Sequence, residues 1–381
     1  MKLNFRITKL PMAVLAGLAA GSLVLSGCAG AGADSAQDSG ELDLAPLGVE
    51  SAQVDELQAL YDAAIESGDT EVTIYAGHHD EFLGIYAAFE DRFPGLTVDP
   101  QTYVGAELQT TLEAERQSGN HVVDVLSNPN ADRYAEQGFA EKYQPATFEL
   151  PDWIDGRISE DQIADPNGFY HSPWALMFAA SYNTNLLEES DLPDSWADLA
   201  DEEWAGKLTF MTPSTPGGTM TVSTALLQAG VVDEGWLQSV GANAKIVAQD
   251  QLALQSISAG EYAYQPLAAA ISILNAKEDG APVEVQFFEE NNVIATEKWM
   301  LAANAPSSDA GKLLLNFLFT AEAQELTLES GNFPINQHES LESPHGWPKL
   351  EDASFVELPA QTVMRAKMTE YGDLFKSITA K

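Results

Sequence analysis

The 381-residue chain has little to offer as a redox, metal or nucleic-acid protein: one cysteine, Cys28, six histidines, and 18 lysines and arginines against 58 aspartates and glutamates. A single cysteine excludes an internal disulfide framework and the cysteine-rich zinc sites. The formal net charge of −40 excludes a nucleic-acid partner, because phosphates are held by basic surface. The same charge opposes electrostatic attachment to anionic lipid. Apart from Leu10 to Leu25, no apolar run approaches the ~20 residues that span a bilayer. The motifs of common catalysis are missing too: no G-x-S-x-G elbow, S-x-x-K, H-E-x-x-H, phosphate-binding Walker loop or G-x-G-x-x-G. His78 and His79 are adjacent, so on a strand they would point to opposite faces. These absences predict a protein that is not an enzyme and carries no resident cofactor.

What is present begins with an address. Lys2, Arg6 and Lys9 precede the apolar stretch Leu10 to Leu25, which has the length of a signal-peptide core. Leu25-Ser26-Gly27-Cys28 follows and resembles the lipobox of bacterial lipoproteins. The resemblance implies removal of residues 1–27 and acylation of the Cys28 thiol, with palmitate-type chains anchoring the protein at the extracellular face of the cell membrane. From Ala29 to about Val54 the chain is Gly-, Ala-, Ser- and Asp-rich and reads as a flexible tether, 28–54.

Beyond the tether the chain exceeds the size at which one core stops growing, so two lobes are expected. The first half alternates in type: a helix over 55–66, a strand at 71–76, a helix over 81–93, a strand at 96–103, a helix over 107–117 and a buried strand at 122–126. This βαβα order predicts an α/β fold with a mostly parallel sheet. A different zone starts near Trp174, with an extended apolar segment to Tyr182, a strand at 207–211 and a Pro/Gly/Ser/Thr-rich loop from Thr212 to Gly218. Amphipathic helices are expected over 309–318 and 321–329, and a helical tail over 355–378.

The order of these segments resembles the iron-type branch of the extracellular solute-binding proteins of ABC importers. Residues 60–64 with 72–75, the run Phe89-Glu90-Asp91-Arg92-Phe93-Pro94-Gly95, and Val123-Asp124-Val125-Leu126 carry the first part of the resemblance. Tyr182-Asn183-Thr184, Ser195-Trp196-Ala197-Asp198-Leu199 with Trp204-Ala205-Gly206-Lys207-Leu208, residues 258–263 and residues 317–324 carry the rest. The resemblance implies the two-lobed periplasmic-binding-protein fold of type II, with a ligand cleft between lobes joined by two crossover strands. It places lobe 1 at 55–173 and 290–340 and lobe 2 at 174–289, and leaves 341–381 as a C-terminal helical segment without a place. It further implies a monomer that delivers a small ligand to the membrane subunits of an ABC permease.

Open α/β sheets bind ligands beyond the carboxyl ends of their strands, and three loops there are candidates. In Gly77-His78-His79-Asp80, either one histidine contacts the ligand, or both cap the next helix or sit in solvent; ferric-binding relatives ligate iron with a histidine here, which makes His79 the candidate metal ligand. Ser127 and Asn128 either donate to the ligand, or Asn128 caps the following helix. In the third loop, Ser214, Thr215, Gly217, Gly218 and Thr219 open a helix whose free N–H groups suit an anion. Trp174, Tyr182 and Gln265 would shape the remainder, unless Trp174 and Tyr182 belong to the core. The adjacent tyrosines of ferric-binding relatives would fall at Ala270 and Ile271, which cannot ligate iron. The expected cargo is therefore an anionic organic solute bearing phosphate, phosphonate or carboxylate, or chelated iron. Direct binding of Fe3+ with a synergistic anion is the alternative, and an exported lipoprotein enzyme the alternative of another class.

Overall fold

The computed structural model describes residues 42–103, 105–336 and 341–379. The signal segment, Cys28 and most of the tether lie outside the described residues. The tether's last part does not behave as one: Leu44 and Leu47 are buried in the core, and α1 (Ser51–Ser67) starts four residues before the expected helix. Large apolar side chains at 44 and 47 find a surface to cover, which a Gly/Ser/Asp linker cannot do.

The first lobe follows from buried βα repeats. These are β1 (Glu71–Ala76), α2 (Leu83–Arg92), β2 (Thr97–Thr102), α3 (Ala106–Ser118), β3 (Val125–Ser127), α4 (Ala131–Glu136) and the short β4 (Ala140–Glu141). Gly68 ends α1 in the left-handed conformation, φ 79°, with its N–H on the Ala64 carbonyl, a backbone state that favours glycine. Strand β1 is buried on both faces and pairs in parallel with β2 and β3, as a central parallel strand must. The Asp124 carboxylate locks this lobe, accepting the Thr73 N–H at 2.8 Å and the Ser307 N–H at 2.6 Å.

The chain crosses over on β5 (His171–Asn183), and the second lobe is built on the second half of that strand with β6 (Leu208–Met211), α5 (Gly218–Gln228), α6 (Glu234–Asn243), β7 (Ala244–Val247), α7 (Asp250–Ser258), β8 (Tyr264–Ala269), α8 (Ala270–Glu278) and β9 (Val283–Gln286). The chain returns through β10 (Val293–Ala302) to α9 (Ser308–Phe317), α10 (Ala321–Glu329) and β11 (Phe333–Pro334). Strand order is β2-β1-β3-β10-β5-β8-β6-β7. Strands β5 and β10 are the two crossovers. The first half of β5 pairs antiparallel with β10, and its second half pairs with β8 and β9. Phe178 marks the junction, facing both Val293 of β10 and Ala269 of β8.

The C-terminal segment touches both lobes. Residues 355–358 are extended rather than helical, bridging Asn292 and Ile158, and two helices follow, α11 (Gln361–Glu370) and α12 (Gly372–Thr379). Helix α11 is tied to lobe 1 by the Arg365–Asp132 ion pair and by Gln361 donating to the Asp161 carbonyl at 2.6 Å. The same helix packs on α5, and α12 on α6.

Candidate functional site

The loop after β1 sends its two histidines different ways. His79 is buried, and its Nδ1 lies 3.0 Å from the Tyr86 hydroxyl; burial lowers its pKa. His78 is half-buried, its ring 5.4 Å from that of Phe82 and its Nδ1 without a partner. Gly77 is exposed. At the end of β3, Ser127 Oγ donates to Glu297 Oε1 at 2.5 Å. Asn128 donates its N–H to the Lys298 carbonyl at 3.0 Å, and its side chain accepts the Asn130 N–H at 2.9 Å as the chain turns into α4. This bond makes a turn onto Asn130, the residue before α4, and no side chain caps that helix.

The site gains four residues that pattern reading passed over: Glu81, Phe82, Glu297 and Trp299. Glu297 stands opposite Trp174 across the β10–β5 ladder, so the two side chains share a face. The Trp174 and Trp299 rings cross nearly edge to face, centroids 5.3 Å apart, and Phe82 lies 4.6 Å from Trp174 and 6.0 Å from Trp299. Both indoles are essentially inaccessible, yet neither Nε1–H has a hydrogen-bond partner among the described residues. Glu81 Oε2 is likewise buried and unpaired. Burial pushes the Glu81 carboxyl above its usual range, the neighbouring His78 and the Asn332 amide pull it back, and Glu297 adds to the rise. The signal in the sequence was a charged pair, Glu297-Lys298, inside an otherwise apolar strand; Lys298 takes the opposite face, fully buried, with Nζ on Thr296 Oγ1 at 2.8 Å.

The opposing loop is of another kind. Thr215 and Gly217 are exposed, Ser214 half-buried. The hydroxyls of Thr212 and Ser214 bond each other at 2.7 Å, and buried Thr219 donates to Asp250 Oδ1 at 3.3 Å. Burial raises the Asp250 carboxyl to about 6. No side chain caps α5, so its first N–H groups are available. Gly218 serves packing: a Cβ there would stand 2.6 Å from the Phe178 ring, so the helix start is pressed against the crossover.

Tyr182 and Gln265 are not brought to these loops. Both are buried where the far half of β5 meets the start of β8, with Gln265 opposite Ser181 and Tyr182 opposite Tyr264. Gln265 stands four positions before the end of β8, ~13 Å back along the strand. Ala270 and Ile271 are buried at the start of α8, and the fully buried Tyr264 donates its hydroxyl to Gln286 Oε1 at 2.7 Å. Among the described residues no group of three or more His, Cys, Asp or Glu side chains is arranged to hold a metal ion, and no helix is long and apolar enough to cross a membrane.

Known proteins resemble this chain over most of its length. The family model described as bacterial extracellular solute-binding protein matches residues 120–352. A periplasmic protein of Salmonella typhimurium named for 2-aminoethylphosphonate binding is 25% identical over 336 residues, 79% of this chain and 93% of that one. The major ferric iron-binding protein of Neisseria gonorrhoeae is 22% identical over 283 residues, 70% of this chain and 82% of that one. Iron-bound HitA from Pseudomonas aeruginosa superposes with a TM-score of 0.64 at 20% identity, covering 81% of this chain and 99% of that one. AfuA from Actinobacillus pleuropneumoniae, with fructose-6-phosphate bound, gives 0.62 at 17% identity, covering 80% and 98%. At these identities the structural likeness establishes the two-lobed fold.

Proposed function

The chain belongs to the bacterial extracellular solute-binding proteins, and from that premise we propose that it captures a small anionic organic solute, bearing phosphate, phosphonate or carboxylate, between its lobes and hands it to an ABC permease. The observation that carries this reading is the concentration of buried, unpaired polar groups on Glu81, Trp174 and Trp299 at the strand ends beside the crossover. Buried polar groups are nearly always paired, so a cluster of orphans is a place a ligand completes. The uncapped start of α5, at the end of β6 in the second lobe, would supply N–H groups and a dipole for the anion. The 2-aminoethylphosphonate-binding relative and the fructose-6-phosphate complex of AfuA agree with such a ligand.

Direct capture of bare Fe3+ is the weaker reading. Hard ferric ion is held by several anionic oxygens, whereas Ala270 and Ile271 bring none, although His79 keeps its Nε2 unpaired. A binding module of this kind performs no chemistry on its cargo. Its place would be the outer face of the membrane, as a monomer held by an acyl chain on Cys28 and the acidic tether, where it stays within reach of the permease while the lobes open and close.

A thermal-shift screen of the unlipidated chain tests the ligand class. A ligand at about 100 times its Kd stabilises the fold by ~2.7 kcal/mol. Phosphonates or sugar phosphates are expected to raise the melting temperature by several degrees. A rise with ferric salts alone, and none with any organic anion, would reverse the assignment. Loss of radiolabelled palmitate from a Cys28→Ala chain checks the anchor.

A further inference from the structure

The first-lobe wall makes two chemical demands at once. Glu81 leaves Oε2 buried and unpaired, and Glu297 stands opposite Trp174, whose ring lies 4.6 Å from that of Phe82, the residue after Glu81; among the described residues Glu297 Oε1 accepts from the Ser127 hydroxyl. The nearby cation, Lys298, is spent on the other face of β10, bonded to Thr296. Of the groups acting on Glu81, only His78 can bring a positive charge. Glu81, half-buried, and Glu297, buried beside a Lys298 that feels its charge but bonds Thr296, favour a ligand that carries a cation.

The walls around the pair are aromatic. Phe82 follows Glu81 in the chain and lies against both tryptophans, and Trp174 faces Glu297 directly. Aromatic faces attract an ammonium group and offer a strongly hydrated metal ion little. The second demand is independent of the first. Trp174 and Trp299, 0% and 1% exposed, each hold an indole N–H that donates to no atom among the described residues, neither to the carboxylates nor to the backbone. Indole N–H is a donor only, so it asks for an oxygen acceptor. A cation flanked by oxygen acceptors satisfies both.

We propose that Glu81, Glu297, Phe82, Trp174 and Trp299 form an ammonium subsite, so that the solute is a small zwitterion with a primary amine at one end and a phosphonate or similar oxyanion at the other. This rests on the anionic-solute reading above and adds the cationic half. Removing one partner of a buried charge pair weakens binding strongly, so the amine should govern discrimination more than the anion does.

Calorimetric titration of the unlipidated chain with 2-aminoethylphosphonate and with ethylphosphonate, which differs only by the amine, separates the two claims. The amine-bearing ligand is expected to bind at least about 100-fold more tightly. Glu297→Gln and Glu81→Gln should each collapse that ratio to about 10-fold or less. The ratio is measured on the wild-type chain first, so a poorly folding variant does not remove the test. Equal affinity for the two phosphonates overturns the ammonium subsite and leaves the anion reading standing. Failure of both to bind, at millimolar concentration, overturns both.

Discussion

The two walls of the cleft differ in how finished they are. On the first-lobe side, side chains are buried or half-buried and, among the described residues, left with unpaired atoms: Glu81 Oε2, both indole N–H groups, His78 Nδ1 and His79 Nε2. On the second-lobe side, the loop from Thr212 to Thr219 is more open, and its hydroxyls bond one another or Asp250. The contrast teaches a division of labour. A wall with fixed, unsatisfied groups discriminates between ligands, because a wrong ligand leaves those groups unpaired. A wall whose hydroxyls are already paired exchanges one set of side-chain bonds for another, and the free N–H groups at the start of α5 take any anion, so it contributes less to selectivity. It contributes to closure instead, since Gly218 lets α5 press on Phe178 at the junction of the two crossovers.

The largest expected effect breaks the first wall. Trp299→Ala removes an inaccessible indole wedged against Trp174 and Phe82, and should cost ~3–5 kcal/mol of stability; urea unfolding reads it, and a loss below 1 kcal/mol would mean the wall is not a packed unit. Next comes the charge on the back of that wall. Burial pushes the Lys298 amine down to about 8 from its ordinary 10.5. The folded chain then sheds this proton before the unfolded chain does, so stability rises with pH across the window from about 8 to 10.5. Relative to Lys298→Met, wild-type stability should gain ~2 kcal/mol between about pH 8 and 10; a flat difference would show that the amine is solvated. Gly218→Ala should cost ~1–3 kcal/mol through the clash with Phe178, and should slow lobe closure in stopped-flow tryptophan fluorescence. The smallest effect belongs to the second wall. Ser214→Ala breaks one bond of a satisfied loop, so affinity should fall by ~3–10-fold with the melting temperature of the free protein unchanged. A loss as large as that of Glu297→Gln would erase the distinction between the walls.

The fold was legible where period and punctuation agree. Strand β1, its loop and the helix after it stand where alternation and Pro94-Gly95 put them, and the crossover near Trp174 reads from a long apolar run. His78, Ser127 and Trp174 stand where the sequence puts them, at the ends or starts of such elements, and Trp174 is part of the core, as one of its two readings has it. Tyr182 and Gln265 were misplaced for a physical reason. Strand direction and register are three-dimensional properties, and a residue at the wrong end of a strand has the same neighbours in sequence as one at the right end. Glu297 escaped notice because it sits inside a strand, away from any loop, and Glu81 because an acidic residue at the start of a helix has an ordinary explanation in the helix dipole. Leu44 and Leu47 were submerged in a polar composition, although each covers core surface.

Hydrogen exchange of the unlipidated chain, with and without saturating 2-aminoethylphosphonate, tests the central claim most directly, because residues 77–82 and 212–221 belong to different lobes. The account predicts that the ligand slows exchange in both segments together, and that Glu297→Gln abolishes the protection in both at the same ligand concentration. Protection of one segment alone, or of neither, would contradict a solute held between the two walls.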